Sequence, residues 1–162
     1  MASSIIHMAV ANEINKVIKR DRRKILIGSV APDISKLIGE NRLKSHFLDN
    51  LDTSIPNMEK FLDKYRDKLV DDFVMGYFIH LYTDYFWFKY FLSEIVTKNT
   101  IKRIDGTIIP MNKDLIAKYI YSDYTDMNTK VIDEYKLDLK IFFENIPPIE
   151  PIIEEIPMNR LD

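Results

Sequence analysis

The chain has no cysteine, only four glycines in 162 residues, and none of its three histidines lies beyond position 80. Without thiols it can form neither a disulfide framework nor a thiolate-held zinc, so imidazole, carboxylate or backbone oxygen must hold any metal. It also lacks an apolar run of about 18 residues, the length that spans a bilayer. No basic start followed by an apolar stretch and a small-residue cleavage site opens the sequence, which leaves the cytoplasm as the expected location. No Gly-rich phosphate loop, Gly-x-Ser-x-Gly elbow or cysteine nucleophile is found. The formal charge is −2, the wrong sign for a domain whose main partner is a nucleic-acid backbone. The one basic cluster, Lys19 to Lys24, reads as a solvated helix end and turn.

What remains is an ordinary globular balance, 46 % apolar and 30 % charged. The scarcity of glycine and the long helical periodicities predict an all-α, single-domain helical bundle over residues 1–162, built around one long central helix. Ser3 or Ser4 caps a first helix to about Lys19, with His7, Val10, Ala11, Ile14 and Ile18 on one face. A second helix from Arg22 must stop near Ala31, because Pro32 disfavours helical geometry before it. Residues 34–50 read as loop with a short helical turn. Ser54 and Pro56 open a third helix that runs to about Leu69. The long helix follows from Asp71 to Lys98 or Asn99. Residues 101–109 read as a small β-hairpin with a type I′ turn at Asp105-Gly106. Two further helices are expected, from Asn112 to Ser122 and from Thr125 to Asn145, the second with Val131, Tyr135, Leu139 and Phe142 inward. Four prolines then make residues 146–162 an extended C-terminal arm.

The central helix carries the chemistry. It is apolar almost all round, which marks it as buried, yet it places His80 and Asp84 one turn apart on the same face. A buried histidine and aspartate are costly unless paired or ligated. Two readings follow: a His–Asp hydrogen bond inside an aromatic core, or two ligands of one divalent metal. His7 and His46 also fall in apolar settings, and Asp33 sits at the rigid Ala31-Pro32-Asp33 corner. Three imidazoles and two carboxylates shift the balance to a metal site, zinc first, with iron or manganese as alternatives. Gly76, one turn before His80, is expected to let another segment approach closely, with the Asp33 corner the first candidate.

These residues occur as His7-x-x-x-Ala11, Ile27-Gly28-Ser29-Val30-Ala31-Pro32-Asp33, Ser45-His46-Phe47 and Gly76-Tyr77-x-x-His80-x-x-x-Asp84, in that order. Over roughly residues 4–88 the chain resembles the bacterial zinc-dependent phospholipase C family. The resemblance implies an all-α fold, phosphodiester hydrolysis at a zinc cluster, and His7, Asp33, His46, His80 and Asp84 as ligands. The family's pattern continues with two histidines and a glutamate that this chain lacks, and it uses a free N-terminal amine as a ligand. One or two ions are therefore expected, with Asp123, Asp126 or Glu134 as candidate extra oxygen donors or, alternatively, as parts of a polar helix start.

The expected activity is metal-dependent hydrolysis of a small phosphate-ester substrate, with metal-activated water as nucleophile and Asp33 as general base. Tyr77 and Trp87, with Tyr82 and Tyr85, are expected to line the substrate mouth, or else to belong to the core. The alternative is a catalytically degenerate relative that keeps a metal for stability and serves as a binding or interaction module.

Overall fold

A computed structural model describes residues 2–160, apart from the side chains of Phe142 and Arg160. The architecture is all-α with one small hairpin. Helix α1, Ser4–Ile18, starts where the Ser3 hydroxyl accepts from the Ile6 amide and ends at Lys19 in the left-handed region. Asp21 caps α2, Arg22–Gly28, accepting from the amides of Arg23 and Lys24. A 3₁₀ turn over Ala31–Asp33 and one helical turn, α3 (Ile34–Leu37), follow as Pro32 dictates. The third expected helix is shorter than its periodicity suggests: α4 is Met58–Tyr65. Its cap is Asn57 rather than Ser54, and Pro56 lies just outside it, because the Asn57 side chain accepts from the Lys60 amide.

Helix α5, Asp72–Phe86, is the central element, capped by Asp71. It does not run on unbroken to residue 98. Trp87–Leu92 widens to a π-helix, α6 (Ser93–Ile95) adds one turn, and Val96 is extended. Strands β1, Thr100–Lys102, and β2, Ile108–Pro110, pair antiparallel, with Ile101 opposite Ile109. Their turn is not type I′, since Gly106 alone takes positive φ (+84°) while Asp105 does not. The Gly106 amide bonds to the Arg103 carbonyl at 3.0 Å and the Arg103 amide to the Thr107 carbonyl at 2.9 Å, which makes a three-residue loop with a glycine bulge.

The two helices expected between Asn112 and Asn145 are one. Helix α7 runs Lys113–Tyr135 without a break. No proline or glycine interrupts it, and the Thr125 hydroxyl bonds back to the Tyr121 carbonyl instead of capping a new start. Past left-handed Lys136, Leu139–Phe142 is only a 3₁₀ turn. Val131 and Leu139 pack inward as expected, whereas Tyr135 is exposed and the Phe142 side chain lies outside the described residues. The arm buries Ile153 and Ile156 against Phe61, Tyr65 and Tyr77, and Lys64 pairs with Glu154 and Glu155. No described helix is long and apolar enough to cross a membrane.

Two clusters of buried side chains meet along α2 and α5: Ile27, Phe73, Val74, Tyr77 and Leu81 on one side, and Met8, Ala11, Ile25, Leu26 and Ile79 on the other. These helices cross through Gly28 and Gly76. A Cβ on Gly76 would lie 2.2 Å from the Ile25 carbonyl oxygen, and one on Gly28 would lie 2.2 Å from that of Phe73. The segment that Gly76 admits is thus α2 itself, not the Asp33 corner that α2 leads into.

Candidate metal centre

Four separate segments deliver the five residues singled out by the sequence. His7 comes from the buried face of α1, Asp33 from the corner after α2, His46 from a turn in the loop, and His80 and Asp84 from α5. His7, His46, His80 and Asp84 are 0 % exposed, and the Asp33 side chain is 15 % exposed. The ligating atoms form two triads, His7–His80–Asp84 and Asp33–His46–His80.

The backbone that holds His46 explains why it sits there. The amides of Phe47 and Leu48 bond to the carbonyls of Lys44 and Leu43, closing a helical turn in which Phe47 takes the left-handed conformation at φ +52°. That region is unfavourable for a bulky residue. Contacts of the Phe47 ring with Phe61, Tyr65 and Tyr77 hold it in place. Tyr77 is wholly buried and its hydroxyl donates to the Ser45 carbonyl, one residue before His46. Tyr77 is therefore not at a substrate mouth; it braces the His46 turn.

Hydrogen bonds fix which nitrogens are free. His80 Nδ1 donates to the Ser29 carbonyl at 2.8 Å, an acceptor placed by the glycine crossing of α2 and α5. Ser35 Oγ donates to the Pro32 carbonyl and Ser45 Oγ donates to Ser35 Oγ, so Ser45 Oγ accepts from His46 Nδ1 at 2.9 Å. Both imidazoles then present bare Nε2 lone pairs, and these face each other at 3.2 Å. His46 Nε2 lies 3.4 Å from Asp33 Oδ1, and His7 Nε2 lies 3.4 Å from Asp84 Oδ1. Neither pair has the geometry of a hydrogen bond: among the described residues, both His7 nitrogens and Asp33 Oδ1 are buried without a partner. Asp84 is better satisfied, with the Ala2 amide on Oδ1 at 3.0 Å and Arg42 Nη2 on Oδ2 at 2.7 Å.

Protons do not resolve the crowding. Burial pushes His80 well below the ordinary imidazole value, His7 adds to this, and Asp84 opposes it. Burial also lowers His46, against the pull of Asp33. Burial alone would raise Asp33, but the neighbouring His46 ring, then His80 and His7, bring it down to about 2 where those rings carry protons in acid. Asp84 is displaced the same way, far below the usual carboxylate range, by His7 in spite of burial. Near neutral pH, lone pairs therefore converge on one dry spot. Donor atoms about 2.0–2.1 Å from one tetrahedral zinc lie about 3.3 Å apart, matching the 3.2–3.4 Å separations here. The donor set fits a metal ion, and the Ser29 and Ser45 contacts are the supporting hydrogen bonds that ligating histidines require.

Asp33 also lies in the wall of a cavity of about 1280 Å³ whose lining includes Met8, Ile27, Val30, Leu37 and Tyr124. Trp87 does not border this cavity. It lines an apolar groove of about 790 Å³ with Tyr82, and its Nε1 donates to the Tyr124 hydroxyl at 3.0 Å. Tyr85 packs beside Tyr82 on the same outer face of α5. Asp123, Asp126 and Glu134 are exposed on α7 and belong to neither triad, so they supply no extra ligand. Arg42 was not singled out by its sequence context, because an arginine in an irregular polar stretch resembles any surface cation. Compared with protein-family models, curated proteins and solved structures, the chain matches none.

Proposed function

We propose that this protein is a metal-dependent hydrolase of phosphate esters, with zinc as the first candidate ion and iron or manganese as alternatives. One observation carries the metal: the Nε2 lone pairs of His46 and His80 face each other at 3.2 Å, with zero exposure. Two neutral acceptors in such a place repel unless a cation lies between or beside them. His80 has only one free nitrogen, since Ser29 occupies the other, so the two triads cannot each claim it for a separate ion. A first ion takes His80 with its neighbours; a second is accommodated only if Asp84 or Asp33 bridges.

When bound, the ion supplies positive charge to the ester oxygens and acidifies a water. Asp33 lies in the wall of the large cavity, and its Oδ1 has no partner among the described residues, so it orients that water and receives its proton. A carboxylate at about 2 is a weak base, which makes this role depend on the acidified water. The order of the motifs, which resembles the zinc-dependent phospholipase C family, supports the same reading. A small phosphodiester is the substrate class. Elemental analysis of protein purified without chelator, followed by hydrolysis of generic phosphodiesters before and after chelation, tests it. Chelator-sensitive turnover is expected.

The second reading is a non-catalytic relative that keeps a metal for stability and serves as a binding module. The exposed positions of Asp123, Asp126 and Glu134 favour it, because they leave the centre with five ligands. Stoichiometric metal without turnover over a broad panel would establish it.

A further inference from the structure

Arg42 occupies an odd place for a residue beside a metal centre. Its Nη2 donates to Asp84 Oδ2 at 2.7 Å, on the side away from His7 and the Ala2 amide, which meet Oδ1. A cation on the second oxygen can orient a ligating carboxylate, but that role uses only one of the guanidinium's five donors. The rest of the guanidinium is uncommitted. Among the described residues, one of its five donors is bonded and Nε is buried without a partner, and Cζ lies over the Phe88 ring, 5.8 Å from its centroid. The side chain is 22 % exposed, which opens it to solvent while the imidazoles are sealed. Burial lowers the guanidinium from its ordinary value, and Asp84, the carboxylate it touches, opposes this most strongly.

We propose that Arg42 is the anion-holding residue of this centre: one donor stays on Asp84, and the remaining donors receive an oxygen of a phosphate group brought against the metal. This rests on the metal reading above and adds the residue that recognises the phosphate. Charge supports it. Metal ligation requires unprotonated imidazoles, so two carboxylates, one guanidinium and one divalent ion sum to +1, which a singly charged phosphodiester neutralises. Without Arg42 the loaded centre would be neutral and would attract no anion by charge. A guanidinium also offers the paired donors that suit phosphate geometry, which a lysine does not.

The test uses inorganic phosphate as the probe, titrated calorimetrically into the zinc-loaded full chain, with metal content measured on the same samples. R42Q is expected to keep its zinc and to bind phosphate about 10- to 100-fold more weakly, the loss typical of a charged hydrogen-bonding partner. R42K, a single point charge, should fall between. Zinc retained with phosphate affinity unchanged in R42Q overturns the assignment while leaving the metal reading intact. Zinc lost from R42Q would also overturn it, by showing that Arg42 is a brace for Asp84. If R42Q does not fold, R42K decides: weaker phosphate binding with zinc intact supports the proposal, and wild-type affinity overturns it. A wild-type chain that takes up no metal refutes the metal reading itself, and this proposal with it.

Discussion

Replacing Gly76 with alanine tests the link between packing and site most sharply, because two known effects oppose each other there. In a solvent-exposed helix, Gly→Ala stabilises by about 1 kcal/mol. Here the new Cβ would stand 2.2 Å from the Ile25 carbonyl oxygen, 2.9 Å from the Ile25 carbonyl carbon and 3.0 Å from Gly28 Cα. All three obstacles are backbone of a packed helix, so no side chain can rotate away, and α2 and α5 must separate. Overpacking of this kind costs about 1–3 kcal/mol, and rigid obstacles place it at the upper end. The net expectation is a loss of about 1–2 kcal/mol, which at this chain length lowers Tm by about 2–8 °C. Separation also draws the Ser29 carbonyl away from His80 Nδ1, and losing such a supporting bond typically weakens metal affinity about 10- to 100-fold. Denaturant melts of the metal-free chain and zinc titration read the two effects separately. A variant that is as stable as wild type, or more so, with unchanged zinc affinity would refute the argument that the crossing positions the site.

Three further outcomes follow from the same geometry. His80→Ala should abolish stoichiometric metal, and should also lower the Tm of the metal-free chain, since the buried Ser29 carbonyl loses its donor at a cost of about 1–3 kcal/mol; metal that survives, seen by elemental analysis, would make His80 a core histidine. Ser45→Ala should leave the fold nearly intact but weaken zinc binding about 10- to 100-fold, because His46 Nδ1 loses the acceptor that fixes its tautomer; a zinc titration checks it. Acid should destabilise the metal-free chain. His46 and His80 lie below the ordinary 6.5, so under that pH the native state holds fewer protons than the unfolded one, and stability falls by up to about 1.4 kcal/mol per pH unit for each group. Asp33, lowered from 3.8 to about 2, acts in the same sense: its contribution is present above 3.8 and lost as the pH falls through 2. Urea midpoints that stay flat between pH 7 and 4 would contradict the two histidine shifts, and midpoints that stay flat from pH 4 to 2 would contradict that of Asp33.

Much of the fold was legible because periodicity and capping chemistry speak directly about local structure. Ser3 and Asn112 cap their helices as read, Asp21 and Asp71 cap theirs at the expected starts, and most of the apolar run from Phe73 to Leu81 is buried as its composition implies. What failed depended on choices that local sequence does not settle. Ser122 to Thr125 contains good cap residues, but a cap forms only if the preceding helix ends, and nothing between Asn112 and Tyr135 ends it. Asp105-Gly106 favours one hairpin turn, yet the strand register places only the glycine at positive φ. At the centre, all five proposed ligands converge: the histidines and Asp84 were polar residues in apolar settings, a conflict visible without coordinates, and Asp33 was marked by its rigid proline corner. Tyr77 and Trp87 carried no such conflict. An aromatic on a buried helix has the same spacing whether it meets a substrate or a carbonyl, and only the fold shows that Tyr77 meets Ser45. Arg42 and the left-handed Phe47 were hidden for the opposite reason, since their roles are made entirely by tertiary contacts.

The centre also constrains how stability and ligation must be related. An apolar residue of similar volume in place of His7, whose nitrogens have no partner among the described residues, would remove a repelling lone pair, whereas at His80 or Asp84 it would strand the Ser29 carbonyl or the Arg42 guanidinium. The ligands come from α1, from α5, from the corner after α2 and from a loop turn that Tyr77 and the Phe47 ring contacts brace, so packing holds each of them in place. Local relief is blocked: His80 is tied at Nδ1 by Ser29, His46 by Ser45, and the His7 ring is stacked on His80 with centroids 3.7 Å apart. The unfolded chain, by contrast, solvates each group freely and presents no arranged site. Any cation that binds therefore acts almost wholly on the native state, adding about 2.7 kcal/mol when its free concentration is 100 times Kd. A bound ion would replace the repulsion among the ligating atoms with attraction, and His80 among them is oriented by the Ser29 carbonyl at the end of α2, beside the Gly28–Gly76 crossing. Ligation and the central helix crossing are thus one cooperative unit, and what loosens either should be felt in the other.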